Sequence, residues 1–350
     1  MSADDFRWLV LRSPVFTLHL AQTLGSRLQR TTRRHARERP IETVVVVGVS
    51  GVPENDVCRD LAQGVSLVMN APCSAQTQDT VDDIDGFRVI ACGAPQTERG
   101  RRVLEVADVV LISANDKQPD NGRIAELCNA VAGIAPRPRI ELVALRDEGS
   151  AICRTRSWLG NGAIASWHHV RRRNAKDFAR LARRIFGRAV GIVLGGGGAR
   201  GFAHIGILRA LEEIGMAIDF VGGTSMGAII GAQYAAGYTH TQMIELARES
   251  YLGRTHPSEF SLPYVSIHNG SGTNRRLKRM FGNLRIEDLP TPYFCVSSNL
   301  STAEPVVHEI GILWLATRCS CSVPGLLPPV RRRGDFLVDG GRVYLVRRFA

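Results

Sequence analysis

The sequence predicts an α/β protein, and three observations carry that expectation. From residue 42 to residue 145, β-branched runs alternate with helical stretches, the pattern of strands in an open sheet covered by helices. Between residues 189 and 236 a strand–glycine–helix unit occurs twice in succession. Near the end, the apolar stretch Phe336-Leu337-Val338 delivers Asp339 beside Gly340 and Gly341.

Four segments follow from the texture of the chain. Residues 1–40 read as amphipathic helices: Ser13-Pro14 makes a cap with a first-turn proline, and Val15, Leu18, Ala21, Leu24 and Leu28 recur at helical spacing. Residues 41–146 form a small α/β unit. Its strands are expected at 43–47, 87–92, 109–113 and 139–145, and its helices at 55–63, 99–107 and 123–131. Gly48-Val49-Ser50-Gly51-Val52-Pro53 lies where a nucleotide-binding loop would, but it lacks the lysine that reaches phosphates. Residues 147–188 read as a polar, basic connector in which His168 and His169 form a surface pair rather than a metal site. Residues 189–350 carry the chemistry.

Composition narrows the functional classes. The chain has 350 residues, of which 44% are hydrophobic and 22% charged, and it contains no apolar run long enough to span a bilayer. The acidic start Met1-Ser2-Ala3-Asp4-Asp5 is unlike a secretory signal, and the eight cysteines form no CxxC pair. A reduced cytoplasmic protein without structural metal is expected. The net charge of +11 comes from arginine clusters, among them Arg171-Arg172-Arg173 and Arg331-Arg332-Arg333. Such clusters suit an anionic membrane surface or plain solvated surface. With 6% aromatics and no zinc-finger or RNP pattern, no nucleic-acid partner is expected.

The loop Gly195-Gly196-Gly197-Gly198-Ala199-Arg200-Gly201 joins a short strand to a helix over 202–214. Backbone N–H groups of such a loop converge on one point and stabilise negative charge on a bound oxygen. The same glycines satisfy a dinucleotide-binding spacing, with Asp219 at about the ribose-binding distance. The next unit separates the two readings. A second strand runs into Gly223-Thr224-Ser225-Met226-Gly227 and a small-residue helix, the context of a nucleophile elbow. A dinucleotide enzyme has no need of that turn. Ser225 requires a base, and no downstream histidine among His240, His256, His268 and His308 lies in a strand-end pattern. Asp339 does, and an aspartate within hydrogen-bond reach of a serine oxygen serves as general base.

Together these motifs resemble the patatin-like phospholipase family, over about 150 residues and in the family's order. Finer features, Gly201-Phe202-Ala203-His204-Ile205-Gly206, Ile286-Glu287-Asp288-Leu289 and Val323-Pro324-Gly325, resemble its neuropathy target esterase branch. The resemblance implies a Ser-Asp hydrolase fold with a central, mostly parallel sheet. It implies Ser225 as nucleophile, Asp339 as base, and an oxyanion hole from Gly196, Gly197, Gly198, Ala199, Arg200 and Gly201. The elbow glycines Gly223 and Gly227 and the aspartate's Gly340 and Gly341 complete the site. The implied reaction is ester hydrolysis of phospholipids or lysophospholipids through an acyl-enzyme, with no metal and no cofactor, by a cytoplasmic protein peripheral at the inner face of the membrane. Residues 1–40 resemble the closing helices of a cyclic-nucleotide-binding domain whose β-roll is missing, so cyclic nucleotides are not expected as ligands. At the other end Gly341 is followed by Arg342-Val343-Tyr344 instead of the family's Asn-Leu-Pro-like stretch, which implies a chain truncated at both ends relative to the family.

Overall fold

The computed structural model describes residues 40–49, 51–78, 86–115, 120–134, 137–149, 155–160, 162–251, 257–260 and 264–342. The helices expected before residue 40, and the tail after Arg342, lie outside the described residues. Contacts divide the chain into Met1–Glu42 and Thr43–Ala350, and the architecture below is that of the second unit.

Its first layer system is an all-parallel sheet. The strands are β1 (Thr43–Gly48), β2 (Cys73–Thr77), β3 (Phe87–Ala91), β4 (Val109–Asn115), β5 (Arg139–Arg146) and β6 (Ser166–Arg171), in the order β2-β3-β1-β4-β5-β6. Val44 to Val47 of β1 are buried on both faces of the sheet, so both faces must be covered. Helices α1 (Glu54–Met69), α2 (Glu98–Glu105), α3 (Asn121–Ala132) and α4 (Ala175–Ile185) do this. α2 and α3 place Val103, Leu104, Leu127 and Val131 in one cluster with Val45, Val47 and Ile90. α1 crosses α4 at Gly64, where a Cβ would fall 2.9 Å from Phe178 O.

β6 and α4 correct the reading of residues 147–188 as a connector. In α4, Phe178, Leu181, Ala182 and Ile185 recur on one face and are buried, while arginines fill the other. Nine arginines across residues 147–188 give the stretch its basic texture and hid that stripe. Asn174 caps α4 by accepting from the Asp177 N–H at 3.1 Å. His168 and His169 are likewise buried in β6, not a surface pair. His168 Nε2 meets Glu141 Oε2 at 2.7 Å, and His169 Nε2 donates to the Glu287 carbonyl at 2.9 Å.

At the end of β1, where the order of strands reverses between β3 and β4, a carboxylate fills the crevice. Glu54 accepts the Gly48 N–H at 2.6 Å and the Gly93 N–H at 2.7 Å, the donors that would otherwise cradle a phosphate.

The second sheet contains β7 (Gly191–Leu194), β8 (Phe220–Gly223), β9 (Tyr293–Asn299), β10 (Pro305–His308), β11 (Val330–Arg332) and β12 (Asp335–Asp339). β7, β8 and β9 are parallel; β10, β11 and β12 join antiparallel. Helices α5 (Ala203–Glu213), α6 (Met226–Ala235), α7 (His240–Tyr251), α8 (Ser271–Phe281) and α9 (Leu313–Ser320) surround it. Its core joins Leu194, Val221, Ile230, Leu277, Phe281 and Leu313. Asp219, fully buried, binds Arg183 of α4 through hydrogen bonds of 2.7 to 3.1 Å and accepts the Val190 N–H at 2.9 Å. Its oxygens are thus committed to α4 and the strand before it, which removes it as a ribose ligand.

Candidate active site

The pairing of β9 explains how the site is assembled. β10 occupies one edge of β9 over Cys295–Ser298. On the opposite edge β8 ends with Gly223 opposite Cys295, and β12 ends with Asp339 opposite Ser297. Two strands running in opposite directions therefore meet end to end, at Val296. Thr224 Oγ1 donates to the Val296 carbonyl at 3.4 Å from one side. Gly340 packs onto the same carbonyl from the other, so closely that a Cβ there would also lie 2.5 Å from Thr224 Oγ1. Residues 114 positions apart in sequence, Ser225 and Asp339, are brought to one place by that meeting of strand ends.

Ser225 sits between β8 and α6 with φ 55° and ψ −125°, a conformation that costs a non-glycine residue on the order of 1–3 kcal/mol. The turn is held tightly. A Cβ on Gly223 would fall 2.7 Å from the Ala228 nitrogen, and one on Gly227 2.7 Å from the Gly195 carbonyl. The Ser225 N–H donates to Ser320 Oγ at 3.0 Å, and that hydroxyl donates to the Val296 carbonyl at 2.6 Å. Cys321 Sγ lies 3.0 Å from the Ser225 carbonyl. Burial, followed by the charge of Asp339, pushes the Cys321 thiol well above its ordinary range, so it stays a neutral donor. Ser320 and Cys321 escaped sequence reasoning. Their only signal is the run of small residues Cys319-Ser320-Cys321-Ser322 at the end of α9.

The glycine loop passes directly beside this turn. A Cβ on Gly196 would lie 3.0 Å from Ser225 Cβ and 3.7 Å from its Oγ. Gly198 has φ 55° and opens a short 3-10 turn, Gly198–Phe202, that leads into α5. Among the described residues, the N–H groups of Gly196, Gly197, Gly198 and Ala199 have no acceptor in the protein. Gly201 is buried against Met226, whose Cβ would lie 2.7 Å from a Cβ at that glycine. His204 Nε2 donates to the Gly195 carbonyl at 2.9 Å and fixes the start of the loop. Arg200 is exposed.

Asp339 is 5% exposed. Its N–H donates to the Ser322 carbonyl at 3.0 Å, and its own carbonyl accepts from Ser298 Oγ at 3.0 Å. Oδ1 accepts the Gly341 N–H at 2.9 Å, while Oδ2 is buried without a partner. An orphaned carboxylate oxygen at this position has its hydrogen-bonding capacity unused. No hydrogen bond joins it to the Ser225 hydroxyl in this structure.

The histidines fall elsewhere. His308 does stand at a strand end, contrary to expectation, but on the β10 edge of β9. Arg332 donates to its Nδ1 at 2.9 Å, so Nε2 carries the proton and donates to Ser297 Oγ at 2.8 Å. Burial and the neighbouring Arg332 push its pKa down to about 4, which keeps it neutral. His256 lies outside the described residues.

Ser225 opens onto a cavity of about 270 Å3 lined chiefly by apolar side chains, among them Met226, Ile229, Leu277, Met280, Leu326 and Leu327. Glu259, Arg276 and His268 supply its polar edge. A concave apolar pocket with a few convergent polar groups is the usual form of a small-molecule site.

Comparison with known proteins gives this arrangement a context. Residues 192–346 match the family described as patatin-like phospholipase. Over 333 aligned positions the chain is 37% identical to patatin-like phospholipase domain-containing protein 6 of Homo sapiens, covering 81% of this chain and 24% of that protein. It is 43% identical over 176 positions to lysophospholipase NTE1 of Candida glabrata, covering 49% of this chain and 10% of that protein. The lysophospholipase NTE1 of Cryptococcus neoformans is 33% identical over 309 positions, covering 72% of this chain and 19% of the relative. The chain thus spans a quarter or less of the length of these relatives.

Proposed function

We infer that this chain, which belongs to the patatin-like phospholipase family in its neuropathy target esterase-like branch, is a serine esterase acting on carboxylic esters of phospholipids or lysophospholipids. The observation that carries the reading is Ser225, held at positive φ at the start of α6 and opening onto an apolar cavity. Apolar walls accept an acyl chain, and the relatives named as lysophospholipases support the substrate class.

In the proposed reaction Ser225 Oγ attacks the ester carbonyl carbon as its proton passes to an oxygen of Asp339, of which Oδ2 is uncommitted. The carbonyl oxygen takes up the electron pair and is held by the N–H groups of the glycine loop. One such donor is worth on the order of a hundredfold or more in rate. The positive end of the α6 dipole, aimed at Ser225, favours the same charge. Collapse of the intermediate expels the alcohol, which carries away the proton held by Asp339, and leaves an acyl-serine. Water then attacks the acyl carbon, Asp339 accepts its proton and returns it to Ser225 Oγ, and the fatty acid departs. Arg200, exposed on the loop, would meet the phosphate of the substrate.

A second reading, a family member that retains binding without catalysis, is favoured by the missing hydrogen bond between Ser225 and Asp339. Hydrogen bonds of catalytic groups commonly tighten only when substrate binds, which favours the first reading. Labelling with a fluorophosphonate probe separates the two. The esterase reading predicts labelling of the wild type, none of Ser225→Ala, and strongly slowed labelling of Asp339→Asn. A wild type that stays unlabelled supports the second reading, and labelling of Ser225→Ala overturns the assignment of the nucleophile.

A further inference from the structure

Arg318 is a buried cation with no anion beside it. It lies in α9 and is 3% exposed, whereas a buried charge is ordinarily paired with one of opposite sign. Among the described residues it forms no ion pair, and the ionisable groups that favour its charge are the thiols of Cys319 and Cys321. Its guanidinium donates instead to three neutral oxygens on three separate segments. Nε donates to Asn274 Oδ1 of α8 at 2.9 Å. One terminal nitrogen donates to Ser322 Oγ in the turn after α9, and the other to the Pro328 carbonyl at 3.2 Å. The start of α8 also crowds the group: a Cβ on Gly270 would lie 2.7 Å from a guanidinium nitrogen.

The three segments enclose Ser225. α8 supplies Thr273, Leu277 and Met280 to the cavity, and the stretch ending at Pro328 supplies Val323, Leu326 and Leu327. The third arm leads to Asp339. Ser322 Oγ donates back to the Arg318 carbonyl at 2.7 Å, and the Ser322 carbonyl accepts the Asp339 N–H at 3.0 Å. One residue thus separates the guanidinium from the strand end that carries the carboxylate. Two positions along α9 from Arg318, Ser320 accepts the Ser225 N–H. A buried charge is weak evidence for stability, since apolar packing of similar volume commonly does as well. Geometry accounts for it better: a planar guanidinium fixes several hydrogen-bond directions at once. We propose that Arg318 is a positioning residue for the hydrolysis, its guanidinium clamping α8, the cavity loop 323–328 and Ser322 into one frame that sets Asp339 and the cavity walls against Ser225. The assignment rests on the esterase reading.

Turnover per active site tests it. Hydrolysis of p-nitrophenyl butyrate by the full chain is measured below each variant's melting transition, with active sites counted by the end-point of fluorophosphonate labelling. Arg318→Lys keeps the charge but cannot span three acceptors. Its kcat per labelled site should fall by about tenfold or more, with KM changed by less than about threefold. Asn274→Ala cuts only the α8 arm and should lower kcat less. Asn274→Asp restores an acceptor and should return kcat to within about twofold of the wild type. Arg275→Gln removes an exposed charge from the same helix and should leave kcat per site unchanged. A merely structural arginine lowers the melting temperature and the number of labelled sites, while each remaining site works at the wild-type rate; that result overturns the proposal and leaves the esterase reading intact. A loss confined to KM also overturns it, since the clamp then serves binding alone. If Arg318→Lys does not fold, the Asn274 variants decide, and equal kcat in Asn274→Ala and the wild type overturns the clamp. A wild type that neither labels nor hydrolyses refutes the esterase reading, and the positioning role with it.

Discussion

Replacing Gly340 with alanine tests the meeting of strand ends that brings Asp339 to Ser225. The added Cβ falls 2.5 Å from Thr224 Oγ1 and 2.7 Å from the Val296 carbonyl carbon, and closer still to its oxygen. Atoms of this kind rest about 3.5 Å apart, so the serine turn and the aspartate strand must separate by roughly 1 Å. Backbone atoms cannot swing aside as a side chain would, which places the strain on the geometry itself. A misplacement of about 1 Å costs on the order of a hundredfold in rate, or about 2.7 kcal/mol of barrier. Overpacking adds about 1–3 kcal/mol of lost stability. The assay is kcat for a soluble p-nitrophenyl ester, below the melting transition of the variant, beside its thermal melt. Gly206→Ala serves as the comparison. Gly206 lies exposed in α5 with nothing within 4 Å of a Cβ, so alanine should leave kcat unchanged and stabilise the helix by about 0.5–1 kcal/mol. A Gly340→Ala enzyme with wild-type kcat would refute the claim that the two strand ends must touch for catalysis.

Two further outcomes are expected. Asp219→Ala strands the Arg183 guanidinium in a buried contact and should cost about 3–5 kcal/mol, seen as a melting temperature lowered by on the order of 10 °C; a change of less than about 2 °C would show that the pair does not join α4 to β8. Burial pushes His169 down to about 4, against an opposing hydrogen bond from its ring to the Glu287 carbonyl, and His308 falls to the same value beside Arg332. The unfolded chain takes up these protons first as pH falls. Their stabilisation is therefore full above about pH 6.5 and is lost toward pH 4, up to on the order of 3 kcal/mol for each histidine. Melts recorded from about pH 7.5 down to about pH 4.5 should drop steeply in that window, and His308→Gln should flatten the slope; a flat profile for the wild type would contradict neutral burial of both rings.

Much of this molecule is legible in one dimension because local rules are enough to state it. The run Thr43-Val44-Val45-Val46-Val47 can only be a strand buried on both faces, and it lies at the centre of the parallel sheet. The glycines flanking Ser225 announce a turn too tight for side chains, and the contacts at Gly223 and Gly227 give the reason. Helix α4 was hidden because it lies in a stretch, residues 147–188, whose nine arginines give a basic, polar texture, although the apolar stripe alone determines its packing. His168 and His169 read as surface residues for the same reason: burial of a polar side chain depends on a partner, and theirs, Glu141 and the Glu287 carbonyl, are distant in sequence.

The sequence by itself determined the α/β class and the elbow at Ser225, and it pointed to the glycine loop beside it and to Asp339 as the candidate base. Only the tertiary structure decided that β8 and β12 end against each other on one edge of β9, that Ser320 and Cys321 hold the serine turn, and that Asp219 belongs to Arg183 rather than to a nucleotide. Strand order and cross-strand register depend on contacts between residues far apart in the chain, and no local pattern encodes those.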